Sequence, residues 1–312
     1  MVEIVRYAPE RAAEWNQFVA QSKNGTFLFD RNYMDYHSDR FHDHSLMFFV
    51  KGKLYALLPA NVDATTLYSH QGLTYGGLIT DMQATAAVTL RVFHEMNAYL
   101  RGAGIQRVVY KAIPWIYHQV PAEEDLYAMF RECPLRLAAR EISTTIMLQK
   151  DLRWSRLRRR GIQRAADKGV TVSLADDEAA FWEVLTSNLE HKYGVRPVHS
   201  LEEIQLLRSR FRRQMPLYAA RKDERVVGGV LLYVTPQVVH AQYSSATAEG
   251  KQLGAIDAIY DRIMHHDYQD FPYFDFGKST EEQGHRLNET LIHQKEGFGG
   301  RAVCYDTYEW TL

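Results

Sequence analysis

Periodicity takes this chain twice through one order of elements: helices, an antiparallel meander, then strand and helix alternating to a final strand. That order is the strongest constraint on the fold. A meander that feeds a strand–helix–strand unit needs a mixed sheet with helices packed on its faces. In the first pass the apolar spacing of Trp15, Phe18 and Val19 predicts a helix over Pro9–Gln21. Leu46–Val50 and Leu54–Ala60 are predicted strands around the turn Lys51-Gly52. Short strands at Thr65–Ser69 and Leu78–Thr80 follow, and Asp81 is expected to cap a long helix through Leu100, ended by Gly102 and Gly104. Ile105–Ala112 has the apolar, β-branched character of a buried strand. Pro121 is expected to open a helix to Arg131, and Ile142–Leu148 is a last strand.

In the second pass Asp177–Lys192 and Leu201–Arg213 are predicted helices, and Leu217–Arg221, Val226–Val234 and Val238–Ser244 form the meander. A helix over Leu253–His266, a strand at Tyr273–Gly277, a helix over Arg286–Lys295 and a strand at Ala302–Trp310 complete it. KGKLYALLP answers KDERVVGGVLLYV and RVVYKA answers YFDFGK, with no repeat at the level of residues. The expected class is α/β, in the mixed α+β sense: two related domains in tandem, each a mixed, mostly antiparallel sheet flanked by helices.

A length of 312 residues suits two domains at ~100–200 residues each. The expected boundaries are 1–150 and 170–312, joined by a basic helix over 151–169, DLRWSRLRRRGIQRAADKG, with Gly169 closing it. The whole chain is balanced, with 37 Lys and Arg against 38 Asp and Glu, so no general basic excess points to DNA. Cys133 and Cys304 are too few for a disulfide framework or a structural zinc site. No apolar run reaches the ~20 residues of a membrane span, and Met-Val-Glu-Ile-Val-Arg lacks the layout of a signal peptide. A cytoplasmic protein is expected. The pairs His42/His44 and His265/His266 lack metal-ligand spacing, so no metal is expected. Nucleophile elbow, Walker loop and dinucleotide fingerprint are all missing.

The element order, with RRRGIQRAADKGVTV at 158–172, Phe274-Asp275-Phe276-Gly277 and Gln294-Lys295-Glu296-Gly297-Phe298-Gly299, resembles the FemAB-like branch of the GNAT N-acyltransferase superfamily. His70-Gln71-Gly72-Leu73-Thr74-Tyr75-Gly76-Gly77-Leu78 is similar to that branch's Tyr-Gly-Gly stretch, while Gln294 replaces its usual aromatic residue. The resemblance implies transfer of an acyl or aminoacyl group from an activated donor to an amine. It implies acyl-CoA or aminoacyl-tRNA as that donor, and no tightly bound cofactor. The superfamily's pyrophosphate signature would fall at 246–255, where ATAEGKQLGA offers Gly250, Lys251 and Gly254 without the full spacing. In this fold a backbone N–H of a splayed strand, near Tyr243–Ala246, supplies the oxyanion donor.

Each candidate residue has a functional and a bland reading. Ser244 and Ser245 either let a donor approach the backbone or simply close a strand. Lys295 either faces a developing anion or complements a helix C-terminus. Asp275, on an apolar strand, either accepts the proton of the amine or pairs with Arg286 or Lys278. Tyr243 completes the catalytic set. Arg156, Arg160 and Arg164 recur at i, i+4 and i+8, and either hold phosphates, with tRNA a candidate partner, or form a solvated face. His70, Tyr75, Gly76 and Lys111, with Lys278, are the candidate acceptor residues, the first four as a wall between the halves; alternatively Lys111 snorkels out at its strand end. A small-molecule or peptide-like amine is the expected acceptor. The alternatives to general N-acyl transfer are an acetyl-CoA-dependent acetyltransferase of a small amine and a binding protein that has lost the chemistry.

Overall fold

The computed structural model describes residues 2–150 and 153–312. The first elements are β1 (Val2–Arg6), α1 (Ala12–Gln21), α2 (Arg31–Met34), β2 (His42–Asp43), β3 (Leu46–Val50), β4 (Lys53–Leu58), β5 (Asn61–Asp63), β6 (Thr66–Tyr68) and β7 (Ile79–Thr80). They continue with α3 (Ala86–Gly102), β8 (Arg107–Lys111), α4 (Glu124–Glu132) and β9 (Arg136–Met147). Then come α5 (Arg156–Asp167), β10 (Thr171–Ala175), α6 (Glu178–Tyr193), α7 (Leu201–Arg210), β11 (Leu217–Lys222), β12 (Arg225–Val234) and β13 (Val238–Ala246). The chain ends with α8 (Ala248–Leu253), α9 (Ala255–Arg262), β14 (Tyr273–Lys278), β15 (Thr280–Glu281), β16 (Arg286–Leu287), α10 (Glu289–Glu296) and β17 (Arg301–Thr311).

Two compact units result. One runs to Ile142 and takes in Thr280–Arg286 and Cys304–Leu312; the other holds Ser143–Ser279 and Leu287–Val303. This division differs from one drawn at 150 and 170. Helix α5 is part of the second unit, and the last nine residues return to the first. The first two residues of the expected basic helix lie outside the described residues; α5 itself starts at Arg156, where Ser155 accepts a hydrogen bond from the Arg158 N–H, and Gly169 follows it at φ +70°.

In the first unit β1, β3, β4 and β7 form one antiparallel sheet, and β17, β8, β6, β5 and β2 neighbour one another in that order. Its core joins Phe48, Leu58, Phe93, Met96, Tyr110 and Trp310. In the second unit β10, β11, β12 and β13 form the antiparallel meander, after which β14 lies parallel to β13 and antiparallel to the end of β9. Ile146, Val230, Val239, Ile259, Phe274 and Phe298 form that core. None of the described helices is long and apolar enough to cross a membrane.

Several boundaries differ from the sequence reading, each for a local reason. Helix α3 starts at Ala86, because the Asp81 carboxylate accepts from the Gln83 N–H and makes a turn instead of a cap. Helix α4 starts at Glu124 rather than Pro121, and α10 at Glu289, where Asn288 caps the Leu291 N–H. The single helix expected over Leu253–His266 is two, α8 and α9, followed by a wide turn at Ile263–Asp267. Gly254 separates them at φ +81°, and a Cβ there would stand 2.3 Å from the Gly161 carbonyl oxygen of α5.

Candidate functional site

Strand β14 builds the site by alternation. Phe274 and Phe276 project to one face, against Tyr260 of α9 at centroid distances of 5.6 and 5.0 Å. Phe298 closes the cluster, 5.3 Å from Phe276 and 5.1 Å from Tyr260. Asp275 projects to the other face and is fully buried. Its Oδ1 accepts from Ser143 Oγ at 2.6 Å and Thr145 Oγ1 at 2.8 Å, and its Oδ2 lies 2.8 Å from His240 Nδ1. Burial alone would raise the Asp275 pKa. The His240 hydrogen bond and charge, with the two hydroxyls, outweigh burial and hold it below the ordinary carboxylate value. His240 is a partner that the sequence reading did not name, and Arg286, one of the two that it did, pairs with Glu281 and Glu282.

The parallel register of β13 and β14 covers Val238↔Tyr273, Val239↔Phe274 and His240↔Asp275, and stops there. Strand β13 goes on against β12, with a bulge between its pairs at Tyr243 and Ala241, while β14 turns at Gly277, φ +77°. The split holds a cavity of about 860 Å³. Ala241, Gln242 and Ser244 bound it on the β13 side, Phe276 and Lys295 on the other.

Lys295, in the last turn of α10, donates from Nζ to the Gly277 and Lys278 carbonyls at 2.8 Å each. Burial lowers its pKa to about 8, against the opposing pull of the Asp275 charge. Two more residues shape the wall. Gly161 lets α5 pack on α9, since a Cβ there would stand 1.8 Å from Asp257 Oδ2. This brings Arg158 to Asp257 (Nη1 to Oδ1, 2.8 Å) and its guanidinium 4.8 Å above the Phe298 ring. Arg158, Lys192, Lys251 and Lys295 line the cavity, against the one carboxylate of Asp257.

The structure gathers some of the sequence candidates here and leaves others elsewhere. Ser244, Ser245, Gly250, Lys251, Gly254 and Lys295 all line the cavity. Asn188 ties part of this wall together: it donates to Ser245 Oγ and the Ala246 carbonyl, both at 2.7 Å, and accepts from Lys251 Nζ at 3.0 Å. Tyr243 is not among the lining residues. Its hydroxyl lies 2.7 Å from His199 Nδ1, its ring packs edge-on against Trp182, and burial raises its pKa to about 12. Arg156, Arg160 and Arg164 stand exposed on α5 and do not line the cavity. Lys278 contributes its carbonyl to Lys295 rather than its ammonium to the wall.

His70, Tyr75, Gly76 and Lys111 belong to the first unit and close on themselves. Lys111 Nζ caps the carbonyls of His70, Gln71 and Leu73 at 3.3, 3.1 and 2.8 Å. The Gly76 N–H donates to the Lys111 carbonyl at 3.0 Å, and a Cβ on Gly76 would stand 1.8 Å from the Ser69 oxygen. Tyr75 is buried among Phe29, Tyr117 and Tyr305. His70 stacks on His37 at 5.2 Å, and burial lowers its pKa to about 3. The sequence reading missed His240, Arg158 and Asn188. Only His240, a polar residue between Val239 and Ala241 in an apolar strand, carried a signal. Among the described residues, no group of three or more His, Cys, Asp or Glu is placed to hold a metal ion.

Residues 154–283 match the Acetyltransferase (GNAT) domain family. Among solved structures, FemX superposes with a TM-score of 0.70 at 10% identity, covering 99% of this chain and 97% of FemX. The C-terminal domain of a protein assigned as a lysylphosphatidylglycerol synthetase from Agrobacterium fabrum gives 0.61 at 15% identity, covering 96% of this chain and 91% of that one. A tandem GNAT protein from the clavulanic acid biosynthesis pathway gives 0.53 at 11% identity, covering 100% and 98%. No curated protein sequence matches the chain. Residues 154–283 thus match the GNAT acetyltransferase domain, and the fold of the whole chain is similar to those of FemX and of a tandem GNAT protein.

Proposed function

We propose that the chain is an N-acyltransferase whose donor carbonyl sits in the split between β13 and β14. The observation that carries this is the end of the parallel register at His240–Asp275, with the cavity directly beyond it. Acyl transfer to an amine needs donors aimed at the oxyanion, a neutral amine and a protonated leaving group. Main-chain N–H groups of Ala241–Ala246 that face the parted side suit the oxyanion. An ammonium has three donors. Two of those on Lys295 hold the Gly277 and Lys278 carbonyls, which aims its charge and leaves one proton for the oxyanion.

The excess of cations on the cavity wall favours an anionic, phosphate-bearing donor. Two donors fit that description. The GNAT domain match favours acyl-CoA. The tandem FemX-like fold, and the likeness to a protein that by its name joins a lysyl group to a lipid, favour an aminoacyl ester such as aminoacyl-tRNA. The exposed arginine face of α5 would then hold phosphates of the longer donor. The acceptor is a small-molecule or peptide-like amine, and the compartment is the cytoplasm. A thermal-shift titration separates the donors: stabilisation by acetyl-CoA selects the thioester, and stabilisation only by an aminoacylated RNA end selects the ester. Stabilisation by neither contradicts acyl transfer.

A further inference from the structure

A second cavity, of about 710 Å³, lies wholly within the second unit, bounded by α6, the turn from β11 to β12 and the start of α8. It adjoins the first. Leu185, Leu189 and Lys192 of α6 line the first cavity, Ala180, Glu183 and Ser187 the second, and Asn188 and His191, on the ridge between those faces, line both. The run from β13 into α8 passes the same way, with Ser244–Ala246 on one cavity and Thr247–Ala248 on the other. Ala180, Val184, Val226 and Ala248 give the second cavity an apolar lining, to which a few charged groups are added, the make-up of a small-molecule site. We propose that this cavity binds the acceptor, and that the acceptor is an amine that also carries a carboxylate, as an amino acid does; the acceptor role rests on the acyl-transfer reading.

The charges on its wall carry this. The basic residues that flank Arg221 have partners: Lys222 pairs with Asp223 at 2.8 Å and Arg225 with Glu249 at 3.2 Å. Arg221 is half-buried, and among the described residues its guanidinium makes no ion pair or hydrogen bond. The β11–β12 register shifts at Ala220–Arg221, a bulge of the kind that re-aims a side chain. Glu183 of α6 and Glu224 of the turn line the same cavity, also without an intramolecular partner among the described residues. A guanidinium fork is matched by a carboxylate, and the two glutamates by an ammonium. One ligand with both groups meets all three side chains. The first cavity has the opposite bias, with four cations against Asp257, which suits phosphates and repels an ammonium. Charge thus sends the donor to one side of Asn188 and the amine to the other.

The transfer balances without a further reactant. The bound ammonium gives one proton to water, and the neutral nitrogen attacks the donor carbonyl past Asn188 and forms the C–N bond. The bond to the donor's sulfur or ester oxygen breaks with its electron pair, and the leaving atom takes the proton that the acylated nitrogen sheds.

Thermal-shift titration of the full chain with L-lysine and with 1,5-diaminopentane, the same chain and amines without the carboxylate, tests the site. L-Lysine is expected to bind the parent at least tenfold more tightly, and Arg221→Met is expected to erase that preference with the response to acetyl-CoA unchanged. Should Arg221→Met not fold, Arg221→Gln carries the same expectation. Equal affinity for the two amines, no stabilisation by L-lysine, or a preference that survives in the Arg221 variant overturns the site. A weakened response to acetyl-CoA in that variant gives the cavity to the donor and overturns it as well. The two readings stay apart: donor binding without the L-lysine preference overturns this site alone, whereas the preference without binding of any donor overturns acyl transfer and leaves a zwitterion site that is no acceptor site.

Discussion

Each unit contains a parallel strand pair, and the chain beyond the two pairs differs. In the first unit β6 and β8 run parallel over Thr66–Tyr68 and Arg107–Val109. Beyond them Gly76 bonds to the Lys111 backbone, Tyr75 is buried, and the Lys111 ammonium donates to three loop carbonyls. In the second unit the parallel register of β13 and β14 ends at His240 and Asp275, and the Lys295 ammonium donates to two carbonyls at the rim of a cavity. In both units a lysine ammonium holds main-chain carbonyls near the end of a parallel pair. The difference lies in how much of its hydrogen-bonding capacity each lysine has spent.

The comparison is broken most sharply by Lys295→Met. Transfer should fall by roughly 100-fold or more, with a melting temperature within a few degrees of the parent. A destabilised but active variant would mean that Lys295 is structural like Lys111. Gly76→Ala should have its effect on stability alone. The new methyl meets the Ser69 oxygen, and overpacking of this kind costs ~1–3 kcal/mol, read by denaturant unfolding, with donor affinity unchanged. Lys111→Met leaves three carbonyls without their donor and should cost ~1–3 kcal/mol, again with transfer intact.

Two further effects are in pH dependence, and they have the same sign in different windows. Lys295 has its pKa lowered to about 8 from the ordinary 10.5, so the unfolded chain holds the extra proton between those values. Stability should therefore rise from pH 8 to 10.5, and this rise should vanish in Lys295→Met. His70 is lowered to about 3 from 6.5, so its contribution is present above pH 6.5 and lost as the pH falls toward 3. Comparing unfolding of the parent with that of His70→Phe over this acid range isolates it.

The second of these regions was more legible in the sequence than the first. The alternation in YFDFGK marks a strand with one carboxylate among aromatics, and the Lys295-Glu296-Gly297 turn marks a helix end beside it, so two members of the site could be named from local pattern. What local pattern does not carry is register. Nothing near His240 says that it pairs with Asp275, thirty-five residues on, or that Ser143 and Thr145 arrive from β9. The arginine run misled in the same way. Its i, i+4 stripe is real but faces outward, whereas Arg158 turns inward because Gly161 lets α5 settle onto α9. Lys111 drew attention as a charge in an apolar strand. Its partners are carbonyls of a loop some forty residues earlier, which only the folded chain brings within reach.

Amide hydrogen exchange on the intact protein, with and without saturating acetyl-CoA or a stable 3′-aminoacylamido-adenosine, distinguishes the second of these regions from the first within a single experiment. Slower exchange on adding one of these ligands is expected over Gln242–Ala246 and Gly277–Lys278, with Ser69–Gly76 unaffected. Protection over Ser69–Gly76 instead, or none at either place with both ligands, would contradict it.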